Sequence, residues 1–243
     1  MDLARPAIKM WASKCVPLLE SVMEQIMISL ADAVAKIPDG ASLMIGGFLG
    51  VGSPHRLIAE LVRQKRRGLT VIGNDSARPG LGIGQLITQK LVAKLIVSHI
   101  GTNPETQRQM IAREIEVELC PQGTLAERIR AAGYGLGGVL TPTGLGTLAA
   151  EGKRVVEIDG RSFLLEPPIK ADFALIAAKR ADYQGNLSYF LTARNFNPVM
   201  AMAGNTVIAE PDEIVPVGVI GPDEIVTPHV LVDHLVQRER RHG

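Results

Sequence analysis

Between residues 42 and 132, short apolar runs and helix-like stretches alternate at intervals that admit little besides a layered α/β fold. Residues 42–45 (Ser-Leu-Met-Ile) read as a short apolar strand and 69–72 (Leu-Thr-Val-Ile) as the next. Between them Ser53-Pro54 opens a helix over 54–64, because Ser is a favoured cap and Pro a favoured first helical residue; Gly68 stops it. The alternation continues with a helix over 85–92, a strand over 94–98, a helix over 104–112 opened by Pro104-Glu105, a strand over 115–119, and a helix over 124–132 closed by Gly133. Upstream, Leu30, Val34 and Ile37 mark an apolar helix face over 28–37, ended by Pro38-Asp39-Gly40. Repeated strand-loop-helix units with short connections demand a mainly parallel sheet covered by helices on both faces, a three-layer α/β/α architecture.

The texture changes after Gly133. Residues 133–146 are glycine-rich, and 155–158 and 162–165 flank Asp159-Gly160, the signature of a type I′ hairpin. Residues 173–177 and 206–209 look like further strands of the main sheet. One α/β domain over 27–237, with a small β excursion near 133–170, accounts for this order. With 46% hydrophobic but only 4% aromatic residues, its core is aliphatic, and Met200 and Met202 are expected to fill it. Residues 1–26 are expected to be a disordered or mis-called extension outside the fold. Pro17 and Glu20 interrupt the apolar stretch a signal peptide needs, and Met27 begins the segment that reads as an ordinary start. Residues 238–243 form a basic tail.

Several function classes are excluded early. The net charge is +1, and the basic tail Arg238-Glu239-Arg240-Arg241-His242 is better read as a solvated end than as a nucleic-acid surface. No apolar run approaches the ~18 residues that span a bilayer. Two cysteines, Cys15 and Cys120, make no disulfide framework and have no metal-site surroundings, so a reduced cytoplasmic compartment without a bound metal is expected. His55, His99 and His229 stand singly and read as satisfied histidines rather than ligands. Gly133-Tyr134-Gly135-Leu136-Gly137-Gly138 satisfies G-x-G-x-x-G, but it follows a helix instead of a strand, which removes the dinucleotide context.

The segment from Asp39 to Pro54 is the most informative. A buried strand ends in Gly46-Gly47, turns through Phe48-Leu49-Gly50-Val51-Gly52, and feeds a helix. Glycines let a backbone approach a ligand closely and aim its amides at an anion or a developing oxyanion, and the loop lies at the carboxyl end of a strand, where open α/β sheets bind ligands. Composition alone weighs that role evenly with a plain tight turn.

This run resembles the signature of family I coenzyme A transferase α subunits: Asp/Asn-Gly, two residues, three apolar residues, Gly-Gly-Phe, three residues, Gly-x-Pro. Asn74-Asp75, Ser98-His99-Ile100-Gly101-Thr102-Asn103-Pro104-Glu105, Pro121-Gln122-Gly123-Thr124-Leu125-Ala126-Glu127-Arg128-Ile129-Arg130, Thr141-Pro142-Thr143-Gly144 and Ala193-Arg194-Asn195-Phe196-Asn197 resemble the same family in its order. The likeness covers residues 28–235 and is nearest to acetate/acetoacetate (butyrate) members. It implies the fold shared by CoA-transferases and sugar-phosphate isomerases, and a glutamate nucleophile that is acylated by acyl-CoA and then carries CoA as a thioester. That glutamate lies in a Ser-Glu-Asn-Gly motif of the family's β half, a motif missing here. The resemblance therefore implies a non-nucleophilic half, active only with a separate β subunit in a hetero-oligomer of α2β2 type. It takes acyl-CoA and short-chain carboxylates, with coenzyme A as substrate and no permanently bound cofactor. It further implies that Gln122 is catalytic, its amide forming part of the oxyanion hole, and that Gly46, Gly47, Phe48 and Asn74 line the CoA and substrate path. For Gln122, capping of the helix at 124 is the plainer reading of the residue itself.

Two other classes remain open. A sugar-phosphate isomerase or sensor of the same broad fold would need a basic phosphate pocket, whereas Arg and Lys do not cluster near the glycine-rich loop. A nucleotide-binding scaffold would need a nucleotide motif in its proper context. Asp75 and Glu105 follow strands on the ligand side, where capping and helix-dipole roles are commonest; Arg194-Asn195 carries no role derivable from sequence.

Overall fold

The computed structural model describes residues 26–236. The expected extension lies outside these apart from Ile26, which is buried in the core, and the basic tail lies wholly outside. Among the described residues the main sheet has nine strands. β1 (Met27–Ile28), β2 (Ser42–Ile45), β3 (Leu69–Ile72), β4 (Val92–Val97) and β5 (Glu116–Leu119) come from the first half of the chain. β9 (Ala171–Asp182), β10 (Leu187–Ser188), β11 (Gly204–Val215) and β12 (His234–Val236) come from the second. Their order is β1-β12-β11-β9-β2-β3-β4-β5, every neighbour parallel, with β10 antiparallel against β9.

Alternation within the strands produces two hydrophobic layers. In β2, Leu43 and Ile45 face one layer and Met44 the other; in β3, Leu69 and Val71 oppose Ile72. The first layer is covered by α1 (Leu30–Ala35), α2 (His55–Arg63), α3 (Ile83–Thr88) and α4 (Pro104–Ile111), through side chains such as Val34, Leu57, Leu61 and Leu86. The second is covered by α5 (Gln122–Gly133) and α6 (Asn197–Ala203), through Leu125, Ile129, Met200 and Ala201. Both faces being buried, the central strands β2 and β3 are predominantly apolar, as parallel strands are. The three-layer expectation holds. So does the excursion: β6 (Val139–Thr141), β7 (Val155–Ile158) and β8 (Arg161–Glu166) form a separate antiparallel sheet of order β6-β8-β7. Positive φ at both Asp159 (51°) and Gly160 (72°) gives the type I′ turn.

Several boundaries differ from expectation for identifiable reasons. Residue 28 belongs to an edge strand, and the first helix begins after Ser29, whose hydroxyl accepts from Asp32 N at 3.0 Å. The helix expected over 85–92 is α3 and ends at Thr88; Lys90 takes φ 54°, a left-handed stop, so Val92 starts β4. Ser53 does not cap α2. The helix begins after Pro54, which has no side chain able to cap it, and the Glu210 carboxylate of β11 instead accepts Arg56 N at 3.1 Å and Leu57 N at 2.8 Å. A carboxylate reaching two free amides also complements the positive end of the helix, which a hydroxyl does less well. The G-x-G-x-x-G run spans the end of α5 and the turn into β6, not a strand-to-helix turn.

β9 and β11 pair in register from Gly204↔Ala171 to Val215↔Asp182, but β2 pairs only as far as Ile45↔Leu175. The two long strands thus continue about 20 Å beyond the carboxyl end of β2 and form a wall beside it.

Candidate active site

The chain runs outward from β2 through β3, β4 and β5, then returns to place β9 on the other side of β2. The carboxyl edge between β2 and β9 is therefore the topological switch point, the crevice where open α/β sheets bind ligands. Gly46-Gly47-Phe48 leaves β2 at that point. Phe48 and Val51 exchange backbone hydrogen bonds of 3.0 and 2.9 Å across Leu49 (φ 48°) and Gly50 (φ 89°), a two-residue turn that projects Phe48, 42% exposed, from the mouth.

The two glycines serve different ends. Gly47 adopts φ 124°, a backbone region that disfavours side chains. Gly46 is not in the left-handed region; it is small because a methyl there would overlap the Asn197 carbonyl oxygen. Asn197, fully buried at the start of α6, accepts from Ala177 N at 3.0 Å and donates to Gly52 O and Ala193 O, both at 2.9 Å. Asn195 accepts from Gly47 N at 3.1 Å and donates to Val51 O at 2.9 Å. The Arg194-Asn195 motif, for which the sequence offered no role, thus belongs to a pair of asparagine clamps that fix the glycine loop. Their partners lie about 145 residues upstream, so no local pattern could have revealed them.

The neighbouring strand ends supply the polar groups. β3 ends in Gly73-Asn74-Asp75, β4 in Ser98-His99, and β5 in Cys120-Pro121-Gln122. Gln122 is the first residue of α5, two residues earlier than expected, and its exposed side chain donates from Nε2 to Asn74 Oδ1 at 2.9 Å. Among the described residues no side-chain cap serves α5, so Gln122 does not hold the capping role that was its alternative. Asn74 is 2% exposed; its Nδ2 donates to Asp75 Oδ2 at 2.6 Å, and its backbone carbonyl accepts from Ser98 N and Oγ. Asp75 also accepts from Leu49 N at 2.9 Å and from Ala77 N at 2.7 Å. A continuous chain of hydrogen bonds therefore runs from Gln122 through Asn74 and Asp75 into the glycine loop. Asn74, expected to touch CoA or substrate, is buried with its amide spent on its two neighbours.

Other candidates resolve as structural groups. Glu105 binds Arg108, and His55 Nε2 donates to Gly50 O at 2.9 Å. Burial pushes the Cys120 thiol above its ordinary range despite the nearby Arg128. Among the described residues no group of three His, Cys, Asp or Glu could hold a metal ion, and no helix is long and apolar enough to cross a membrane. The arrangement offers neutral donors beside the exposed apolar side chains of Phe48 and Val51, and the described site residues include no free carboxylate nucleophile.

Residues 27–238 match the family model described as coenzyme A transferase. The chain is 51% identical over 214 residues to the acetate CoA-transferase subunit alpha of Escherichia coli K12, covering 88% of this chain and 97% of that protein. It is 50% identical over 199 residues to the acetoacetyl-CoA:acetate/butyrate CoA transferase alpha subunit of Clostridium acetobutylicum, covering 82% and 91%. Among solved structures, an acyl-CoA transferase from E. coli O157:H7 in a thioester complex with CoA superposes with a TM-score of 0.79 at 25% identity. That match covers 88% of this chain and 47% of the solved chain, so this chain spans about half its length. The sugar-phosphate alternative finds no support among these relatives.

Proposed function

The chain belongs to the coenzyme A transferase family, and on that premise we propose that it is the α-type half of a short-chain acyl-CoA:carboxylate CoA-transferase of the acetate/acetoacetate/butyrate kind. Its partner is a β subunit that carries the nucleophilic glutamate, in an α2β2 assembly. Coenzyme A enters and leaves as substrate, and the paucity of cysteine suits a reduced cytoplasmic setting.

The β subunit's glutamate attacks the acyl-CoA carbonyl; the C–S bond breaks and CoA thiolate leaves as the acyl-glutamyl anhydride forms. The thiolate then attacks the glutamyl carbonyl, releasing the free carboxylate and leaving a glutamyl-CoA thioester. An acceptor carboxylate takes CoA by the reverse sequence. Each addition passes through a tetrahedral oxyanion. Gln122 supplies a neutral N–H donor to it: one N–H of the amide is held by Asn74, and the exposed residue has a second N–H to offer. A neutral donor suits this task because it stabilises developing charge without titrating.

The observation that carries the reading is the convergence of the glycine loop and Gln122 on one hydrogen-bonded edge, rimmed by apolar side chains that a partner can cover. Steady-state exchange of acetyl-CoA with acetoacetate by the α/β complex tests it. Gln122→Ala is expected to lower kcat about a hundredfold while leaving assembly intact. Full activity in that variant, or exchange at full rate by this chain without any partner, refutes the assignment.

A further inference from the structure

We propose that Asp75, acting through Asn74, is a positioning residue that fixes which way round the Gln122 amide stands. The inference rests on Gln122 being the oxyanion donor and adds the element that makes it one. An amide side chain is nearly symmetric in shape, so packing alone does not distinguish its NH2 from its oxygen. A carboxylate does distinguish them, because it offers lone pairs only. Asp75 Oδ2 can be approached by Asn74 through Nδ2 alone, here at 2.6 Å. That contact turns Asn74 Oδ1 toward Gln122, and an oxygen there admits only the Gln122 NH2, at 2.9 Å. The polarity set at Asp75 is thus transmitted across two amides to the edge of the site.

Asp75 is itself fixed, since Leu49 N and Ala77 N hold its two oxygens at 2.9 and 2.7 Å. Leu49 belongs to the glycine loop, so the same carboxylate sets both the loop's position and the donor's orientation. Asn74 cannot drift: it is 2% exposed and its carbonyl is pinned by Ser98. Burial of a polar pair with no route to solvent makes a reversed arrangement costly, because oxygen would then face oxygen.

The test uses the α/β complex and substitutions at Asn74, because Asp75 variants would also lose the Leu49 and Ala77 bonds. Asn74→Leu matches the side chain in shape and removes the relay. Asn74→Asp keeps the relay only while the new carboxyl holds a proton: O–H then replaces N–H toward Asp75 and C=O still faces Gln122, whereas two ionised carboxylates at that contact repel and drive the side chain out of the relay. Other titratable groups on the adjoining loops are His99, beside Asp75, and His55 at the start of α2, and the unsubstituted complex measured alongside accounts for both. We expect Asn74→Leu to lower kcat about tenfold with KM for acyl-CoA nearly unchanged, the cost of a side chain free to sample other poses. Asn74→Asp should retain activity at low pH and lose it as pH rises, a dependence absent from the parent. In a Gln122→Ala background neither substitution should lower kcat further. The relay is overturned if Gln122→Ala is impaired but the Asn74 substitutions, folded and assembled by melting and gel filtration, leave kcat unchanged or act additively with it. A fully active Gln122→Ala complex would remove the donor reading and the relay together.

Discussion

Replacing Gly46 by alanine isolates the geometric demand of the glycine loop. The backbone there is ordinary, so a methyl adds no torsional strain, but it would overlap Asn197 Oδ1. Asn197 must then withdraw from a fully buried position and release three hydrogen bonds, to Ala177 N, Gly52 O and Ala193 O. At about 1 kcal/mol net for each bond, the loss is about 3 kcal/mol. For a chain of this size that corresponds to a fall in Tm of about 6–12 °C, read by thermal denaturation of the isolated subunit followed by circular dichroism. Asn197→Ala forfeits the same bonds and should cost about the same. The double substitution should then lie within ~1 kcal/mol of either single one, because the two changes break one clamp. Unchanged stability in Gly46→Ala, or additive losses in the pair, would show that Asn197 does not clamp this loop.

Two further outcomes follow from other elements. Glu210→Ala leaves the Arg56 and Leu57 amides of α2 without their acceptor, and should cost about 2 kcal/mol in urea denaturation with an unchanged m-value; a neutral result would mean the helix end finds another partner. Glu105 is held at about 2 by hydrogen bonds first from Arg108 and then Gln109, and Glu114 at about 2 by Arg108 and then Lys90, against an ordinary 4.5. Folded values below the unfolded ones mean that this stabilisation is present above about 4.5 and is lost as pH falls toward 2. Arg108→Met should therefore flatten the acid-side decline of Tm over that interval, and an identical slope would show that the pairs contribute nothing.

What could be read from sequence was what is local. β2 and β3 were legible to the residue because their apolar runs end in glycines, and the start of α4 because Pro104 is a favoured first helical residue. The Asp159-Gly160 turn was legible because few residues tolerate positive φ twice in succession. The illegible parts depend on distant partners. Glu210 caps a helix 150 residues upstream, and a nearby serine was the only cap that sequence could suggest. β1 and β12 are too short to show a period; β12 exists because it pairs with β11, and β1 because it pairs with β12. The far end of β9, Ala178-Lys179-Arg180-Ala181-Asp182, is too charged to look like a buried strand; Lys179 and Arg180 instead bind Asp212 and Glu213 on the neighbouring strand. The site was legible as motifs, but not as a circuit. Gln122 and the glycine loop stood out singly, whereas the contacts joining them through Asn74 and Asp75 are a property of the sheet order.

That order also dictates how the chain must assemble. From β2 to β5 each strand joins the next one made, so this half can form from local encounters as it is synthesised. Its inner margin is then a bare strand, β2, whose proper neighbour lies 130 residues later at the Leu43↔Phe173 register. Until β9 arrives, β2 presents unpaired amides and carbonyls to any passing strand, the hazard that exposed sheet edges carry. The closure is fastened at its first residue, where Ser42 N and Oγ donate to the Asp172 carboxylate at 2.9 and 2.7 Å and Asp172 N donates back to Ser42 Oγ at 2.9 Å. The crevice proposed to do the chemistry opens along this seam, so it is complete only once β9 has paired with β2.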